Sequence, residues 1–197
     1  MERTSVQRLA RVLRVLVKIV FVCNIIALFF VPVEVDLHSR HTSLPEMVVS
    51  ILSFDDGIEL LFLGVMWSPM IYCGFLANVL MDAYVLVLTL FLWVCGVCTA
   101  VILWQGKRVL DTILKGNPFV MDNAKSLNRA AVCCFVISGA ALVRTVWGLV
   151  YYQNISPMFT YNALFVPIFL MAGLLCMVVS ALFRQAAELK AENDLTV

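Results

Sequence analysis

Four cysteines in apolar stretches are the residues whose type and spacing most directly suggest chemistry. Cys95 and Cys98 form the sequence CGVC, and Cys133 and Cys134 are adjacent in a later apolar run. Thiolates at such positions could exchange disulfides or bind a soft metal ion. A reactive CxxC pair needs a helix N-terminus and access to solvent, however, and Cys95 and Cys98 lie in the middle of an apolar run.

A packing role explains Cys134 better, because this residue belongs to a row of small side chains spaced alternately by three and four. The row consists of Ala131, Cys134, Ser138, Ala141, Thr145 and Gly148. In lipid, small side chains let helix backbones approach closely. We therefore predict that this row is a helix-packing seam, and we expect no metal ion or other cofactor.

Among the polar side chains within or beside the apolar runs, Asn24, Asp82 and Arg144 are the candidates for a functional site. A charge at the centre of a membrane costs roughly 2.5–3.5 kcal/mol on insertion scales, so such a residue suggests a functional site by default. Arg144 has two structural alternatives, because its long stem could reach the outer interface or its guanidinium could pair with Asp82 or Glu59. We expect one of these two for Arg144, and for Asn24 a hydrogen bond to a neighbouring helix.

Two histidines, His38 and His41, lie among acidic residues and could in principle bind a divalent metal ion. Their three-residue spacing in a segment without a clear helical or strand pattern carries little weight, and a solvated acidic face is the expectation. The chain has no phosphate-binding glycine loop, no Ser/His/Asp arrangement and no HExxH motif. The sequence therefore does not suggest an enzyme.

The composition excludes an ordinary soluble domain. Of the 197 residues, 62% are hydrophobic and 14% are charged, whereas soluble domains have roughly 45–50% apolar and about 25% charged residues. A single core of this size cannot bury so much apolar surface, so lipid must solvate it. The chain is therefore an integral membrane protein, and the lipid bilayer is its first partner.

Four apolar runs reach the roughly 20 residues that a membrane helix needs, at about residues 15–33, 83–104, 130–151 and 163–183. Basic residues concentrate in the N-terminus, the loop 105–129 and the tail 184–197, whereas the segment 34–82 has one basic residue and seven acidic ones. Basic loops stay in the cytoplasm. We predict an all-α protein with one membrane domain, residues 1–197: a four-helix bundle with both termini inside and an acidic outer-face segment between spans 1 and 2.

The segment 58–81 is apolar enough to compete as a fifth span. Only Asp82 separates it from the run 83–104, which leaves no room for a tight hairpin, and a fifth span would place the basic loop 105–129 outside. We therefore expect this segment to pack on the outer face, to re-enter the membrane shallowly or to extend the second span.

A polar turn, ILKGNPFVMDN, interrupts the apolar runs at residues 113–123. Gly116 is a natural helix stop, Pro118 prevents continuation, and Asp122 or Asn123 is expected to cap the next helix. Ordinary turn chemistry explains these residues but leaves Phe119 unexplained. The alternative to a plain turn is a basic hairpin that docks lipid headgroups or a cytoplasmic partner through Phe119.

The stretches LDTILKGNPFVMDNAKSLNRAA and ALFRQAAELKAENDLTV resemble the YoaS-like uncharacterised family of small four-span bacterial membrane proteins. The matching residues are Gly116, Pro118 and Phe119 of a G-x-P-F turn and the acidic end Glu192–Val197. The resemblance runs from about residue 80 onward and does not include the outer segment. Family members have no assigned chemistry, and many are encoded beside a small helix-turn-helix regulator. The resemblance thus implies a bacterial cytoplasmic membrane and a regulatory partner.

From the sequence we expect a non-enzymatic regulatory or scaffold protein in which the hairpin and the tail dock a cytoplasmic partner such as a small DNA-binding regulator. The residues expected to form this surface are Gly116, Asn117, Pro118, Phe119, Asp194, Leu195, Thr196 and Val197. We expect no direct nucleic-acid binding, and the sequence leaves a homo-oligomer open. The alternative is a small transporter or ligand-binding membrane protein that uses Arg144 and Asp82.

Overall fold

The described residues form five helices and no strand. The computed structural model describes residues 2–39, 49, 68–116, 119–153, 155, 158 and 160–195. The helices are α1 (Glu2–Ser39), α2 (Ser68–Met81), α3 (Ala83–Leu114), α4 (Met121–Tyr152) and α5 (Tyr161–Leu195). The prediction of an all-α protein is therefore confirmed for the described part of the chain.

Four of the described helices are long and apolar enough to cross a membrane, as the sequence predicted for these four segments, and the arrangement with both termini inside stays a prediction. The four helices are Arg8–Val35, Ala83–Leu114, Met121–Tyr152 and Ala163–Asn193. Each has at least 28 residues, or about 42 Å at 1.5 Å per residue, whereas the hydrocarbon core is about 30 Å thick. The helices therefore continue past the span limits expected from the sequence. Large apolar side chains are exposed along them, where lipid would solvate them.

The helix α2 covers the described part of the segment 58–81. Its 14 residues give a length of about 21 Å, which is short of a membrane crossing. Asp82 lies between α2 and α3. Its carboxylate Oδ1 accepts a hydrogen bond from the backbone N–H of Tyr84, in the first turn of α3, at 2.9 Å. This is the geometry of an N-terminal cap. α2 is thus a helix of its own, and residues 58–67 lie outside the described part.

The chain divides into two compact units, and the first comprises residues 26–93. Its core is an apolar cluster around Val35, Val79 and Val85. The rings of Phe29 and Tyr72 stack nearly parallel, with centroids 4.9 Å apart. Helix α2 is therefore held by apolar and aromatic contacts inside this unit.

The second unit comprises residues 1–25 and 94–197, and α4 packs against α5 within it. The small-residue row of α4 lies on its inner side: Ala131, Cys134, Ser138, Ala141 and Gly148 are buried, and Thr145 is half-buried. Two hydrogen bonds join the helices. Ser138 Oγ donates to the carbonyl of Val166 at 2.9 Å, and Ser180 Oγ donates to the carbonyl of Ala124 at 2.7 Å. In a membrane such bonds add to close packing as the force between helices.

Helices α4 and α5 are in close contact at Gly173. A Cβ atom built on Gly173 would lie 2.9 Å from Cε1 of Phe135, a separation that real Cβ contacts do not show. Gly139, on α4, has no heavy atom within 4 Å of its Cβ position and is exposed. The two glycines therefore provide a matched pair of sites, one tightly packed and one open.

We predict that Gly173→Leu lowers stability, because the added side chain must displace the ring of Phe135. Overpacking of this kind typically costs about 1–3 kcal/mol. Thermal unfolding of the purified protein in detergent micelles measures the effect. Gly139→Leu is the control and should leave the melting temperature unchanged or raise it. Equal melting temperatures for the two variants would contradict the packing described here.

Candidate docking surface at the basic ends of the helices

Within the second unit, the start of α1, the end of α3, the start of α4 and the C-terminal half of α5 meet at one end, here called the basic end. The contacts that bring them together are Arg14–Asp111, Thr112–Asn123, Phe119–Phe183 and Ser180–Ala124. The hairpin and the part of α5 around Ser180 and Phe183 are therefore neighbours in space.

The turn after α3 depends on Gly116. The N–H of Gly116 donates to the carbonyl of Ile113 at 3.1 Å, and its φ of 79° lies in the left-handed region. A residue with a Cβ atom is strained in that conformation, whereas glycine adopts it readily. The helix stop that the sequence assigned to Gly116 thus has its physical cause in this angle. Asn117 and Pro118 lie outside the described residues.

The start of α4 differs from the expectation. The N-cap residue is Val120, which is extended and provides no side-chain hydrogen bond, so the prediction that Asp122 or Asn123 caps this helix is wrong. Asp122 lies in the first turn, where a carboxylate favours the positive end of the helix dipole. Asn123 instead faces α3 and is 1% exposed.

The side chain of Asn123 joins the two arms of the hairpin. Its Nδ2 donates to Thr112 Oγ1 at 2.6 Å, and the Thr112 hydroxyl donates to the carbonyl of Val109 at 2.7 Å. A buried amide without a partner would cost about 1–3 kcal/mol, so this hydrogen bond contributes to the stability of the hairpin. The sequence analysis did not identify Thr112, and the available signal was two polar side chains placed on either side of a glycine turn.

Phe119 follows the turn and is 48% exposed. The rest of its ring contacts Phe183 of α5, with the ring centroids 5.9 Å apart and tilted by 46°. Arg184, the next residue of α5, is exposed and its Nε lies 3.0 Å from Oε1 of Glu188. A half-exposed apolar ring therefore packs on α5 at Phe183, the residue before Arg184.

The far end of the predicted surface is described only in part. The backbone of Asp194 and Leu195 is helical, because α5 continues to Leu195. Thr196 and Val197 lie outside the described residues. The contribution of these four residues to a docking surface stays a prediction.

Helix α1 is fixed to this end by a charge pair. Arg14 Nε lies 2.6 Å from Asp111 Oδ1, and both side chains are partly exposed. The guanidinium N–H is not aligned with the oxygen, so the contact is an ion pair rather than a linear hydrogen bond. The pair places the start of α1 beside the end of α3.

A family match covers the helices of this surface other than α1. The family model described as a protein of unknown function, DUF2975, matches residues 75–197. The chain belongs to the DUF2975 family. No curated protein and no solved structure was found to match the chain. The DUF2975 match begins close to residue 80, where the YoaS-like resemblance begins, and the family is uncharacterised as the resemblance implied. The YoaS-like name itself stays a prediction.

The polar residues of the predicted spans have different surroundings in this DUF2975 protein. Asp82 uses its carboxylate to cap α3. Asn24 Oδ1 is buried and has no hydrogen-bond partner among the described residues, although the sequence suggested a bond to a neighbouring helix. Arg144 is half-buried on α4. The predicted pairing or interfacial position of Arg144 stays a prediction.

Five cysteines of the DUF2975 chain lie near one another in the second unit. Cys95 and Cys98 lie on α3, Cys133 and Cys134 on α4, and Cys176 on α5. All are free thiols. Among the described residues no group of three or more histidine, cysteine or carboxylate side chains is arranged to hold a metal ion. His38 and His41 lack described side chains.

We predict that Asn123→Ala destabilises the DUF2975 protein by about 1–3 kcal/mol, because it removes the amide that joins the hairpin and leaves a cavity. Unfolding in micelles of Asn123→Ala, Thr112→Val and the double variant gives the coupling energy between the two side chains. Asn128→Ala, at an exposed position of the same helix, is the matched control. Strictly additive losses would show that the two side chains do not interact.

Proposed function

We propose that this chain is a non-enzymatic multi-pass membrane protein whose basic end faces the bacterial cytoplasm and binds a partner protein there. The observation that carries the proposal is the position of Phe119. Its ring packs on Phe183 at the root of the C-terminal helical extension and keeps 48% of its surface exposed. The hairpin and that extension therefore present one continuous surface with an apolar centre.

The surroundings of Phe119 have the composition of a protein-binding patch. Lys115, Lys125 and Arg184 are exposed on the segments that flank it. Binding energy at interfaces concentrates in a few buried aromatic or arginine anchors within a polar rim. A partner that fits this surface has an apolar pocket for the ring and acidic side chains around it, because complementary charges favour association.

The partner that the family resemblance suggests is a small helix-turn-helix regulator. A DNA-binding protein presents a basic face to the phosphates of DNA. The basic side chains that flank Phe119 would repel that face and attract an acidic one, whereas Glu192 and Asp194 of the tail carry the opposite charge. We therefore propose that the regulator docks through a face other than its DNA-binding face, so that the membrane protein holds or releases a DNA-binding molecule without contacting DNA itself.

The transport alternative has less support. It assigned a function to Arg144 and Asp82, and the carboxylate of Asp82 already caps α3. Transporters bind their substrate where broken helices meet at mid-membrane, and α3 and α4 are continuous across their apolar parts. Transport predicts loss of function at Arg144 and Asp82, with residues 192–197 dispensable.

The proposal is tested by cross-linking in native membranes followed by recovery of the full chain. The intact protein should capture a small DNA-binding protein, whereas a variant with Phe119→Ala that also lacks Glu192–Val197 should not. Truncating an interface anchor typically costs at least about 2 kcal/mol, which corresponds to an affinity about 30-fold weaker. Quantitative mass spectrometry of the recovered partner measures this change.

Phe165→Ala is the matched control, because Phe165 is an exposed aromatic residue of α5 within a candidate span. It should leave capture unchanged, and both variants should insert in the membrane as the intact chain does. Equal capture by the intact chain and by the variant that combines Phe119→Ala with loss of Glu192–Val197 would mean that the hairpin and the tail have only a structural role.

A further inference from the structure

A groove between α1 and α3 at the basic end is separate from the docking surface around Phe119. Its volume is about 200 Å³, and its walls are mainly valine, leucine and aromatic side chains. Two lysines complete the lining, Lys18 from α1 and Lys107 from α3. The groove thus combines an apolar wall with two cationic side chains, one from each helix.

The aromatic side chains fix the geometry of this groove. The rings of Phe21 and Trp104 lie 6.0 Å apart between centroids, and the Lys107 ammonium lies 5.1 Å from the centre of the Trp104 ring. A cation over an aromatic face is attracted by the ring quadrupole, which restrains an otherwise flexible lysine. Arg14 lies one turn before Lys18 on α1, and Asp111 lies one turn after Lys107 on α3. The ion pair between them holds the two helices together beside the groove.

The two lysines keep their positive charge available. Among the described residues neither lysine forms an ion pair with a carboxylate, and the nearest acid along α3, Asp111, is paired with Arg14. The apolar part of α3 ends at Trp104, which is 50% exposed. Tryptophan is typical of the membrane–water interface, so we infer that Lys107, three residues further on, lies near the depth of lipid phosphates.

We propose that this groove binds an anionic phospholipid, with an acyl chain along the apolar wall and the phosphate between Lys18 and Lys107. Basic pockets between membrane helices bind acidic headgroups in this way. A free phosphate ion would use the lysines but not the apolar wall, which is why the lipid is the occupant. The site does not depend on the partner-docking proposal, since Phe119 takes no part in it.

The test is native mass spectrometry of the purified full-length chain titrated with dioleoyl phosphatidylglycerol and, separately, with dioleoyl phosphatidylcholine. The chain should bind phosphatidylglycerol more tightly. Each lysine near an anionic lipid surface contributes about 1 kcal/mol, so Lys18→Gln or Lys107→Gln should weaken binding about 5-fold and the double variant about 30-fold. The variant Lys18→Arg with Lys107→Arg should keep most of the affinity.

The matched control is Arg108→Gln with Lys125→Gln, which removes two exposed charges of the same sign outside the groove. It should weaken binding much less than the lysine pair. Equal losses would overturn the site in favour of diffuse attraction, and so would an arginine pair that binds no better than the glutamine pair. Glycerol 3-phosphate is the headgroup-only probe, and its displacement of the lipid at similar concentrations would also overturn the proposal.

Discussion

The structure depends on one constraint, which is that hydrocarbon provides no water to accept or donate hydrogen bonds. Backbone groups of a spanning segment must therefore be satisfied within helices, and polar side chains must find partners inside the protein. Thr89 and Thr145 bond the carbonyls of Val85 and Ala141 one turn earlier in their own helices. Ser138 and Ser180 bond carbonyls of the adjacent helix instead. A hydrogen bond from a hydroxyl to a backbone carbonyl thus either satisfies the hydroxyl within its own helix or joins two helices.

The constraint also distinguishes the apolar lengths of the helices from the basic end. Within the apolar lengths of α4 and α5, small side chains and serine hydroxyls are used in packing. At the basic end, charged and aromatic side chains appear on the surface. The hairpin is held from inside by Asn123 and Thr112, so that Phe119 on its outer side is positioned without being buried. A rigid support with an exposed ring is what an interaction surface needs.

Much of this arrangement follows from local rules that a sequence displays. Apolar length predicts the four spans, and the glycine turn predicts the end of α3, because both depend on near neighbours in the chain. The partners of polar side chains depend on how distant segments meet. Asn123 could cap α4 or face α3, and only the packing of the two helices decides for α3. The Arg14–Asp111 pair likewise joins residues almost a hundred positions apart, and charge counts alone treated Arg14 only as a marker of the cytoplasmic side.

The central claim is that the basic end faces the cytoplasm, and labelling of introduced cysteines tests it most directly. The seven native cysteines are replaced by alanine or serine, and Lys115→Cys or Gln153→Cys then places one thiol at a turn on either end of α4. The account predicts that a membrane-impermeant maleimide labels the Gln153→Cys protein in intact cells and the Lys115→Cys protein only after permeabilisation. The reverse pattern, or labelling of both in intact cells, would contradict it.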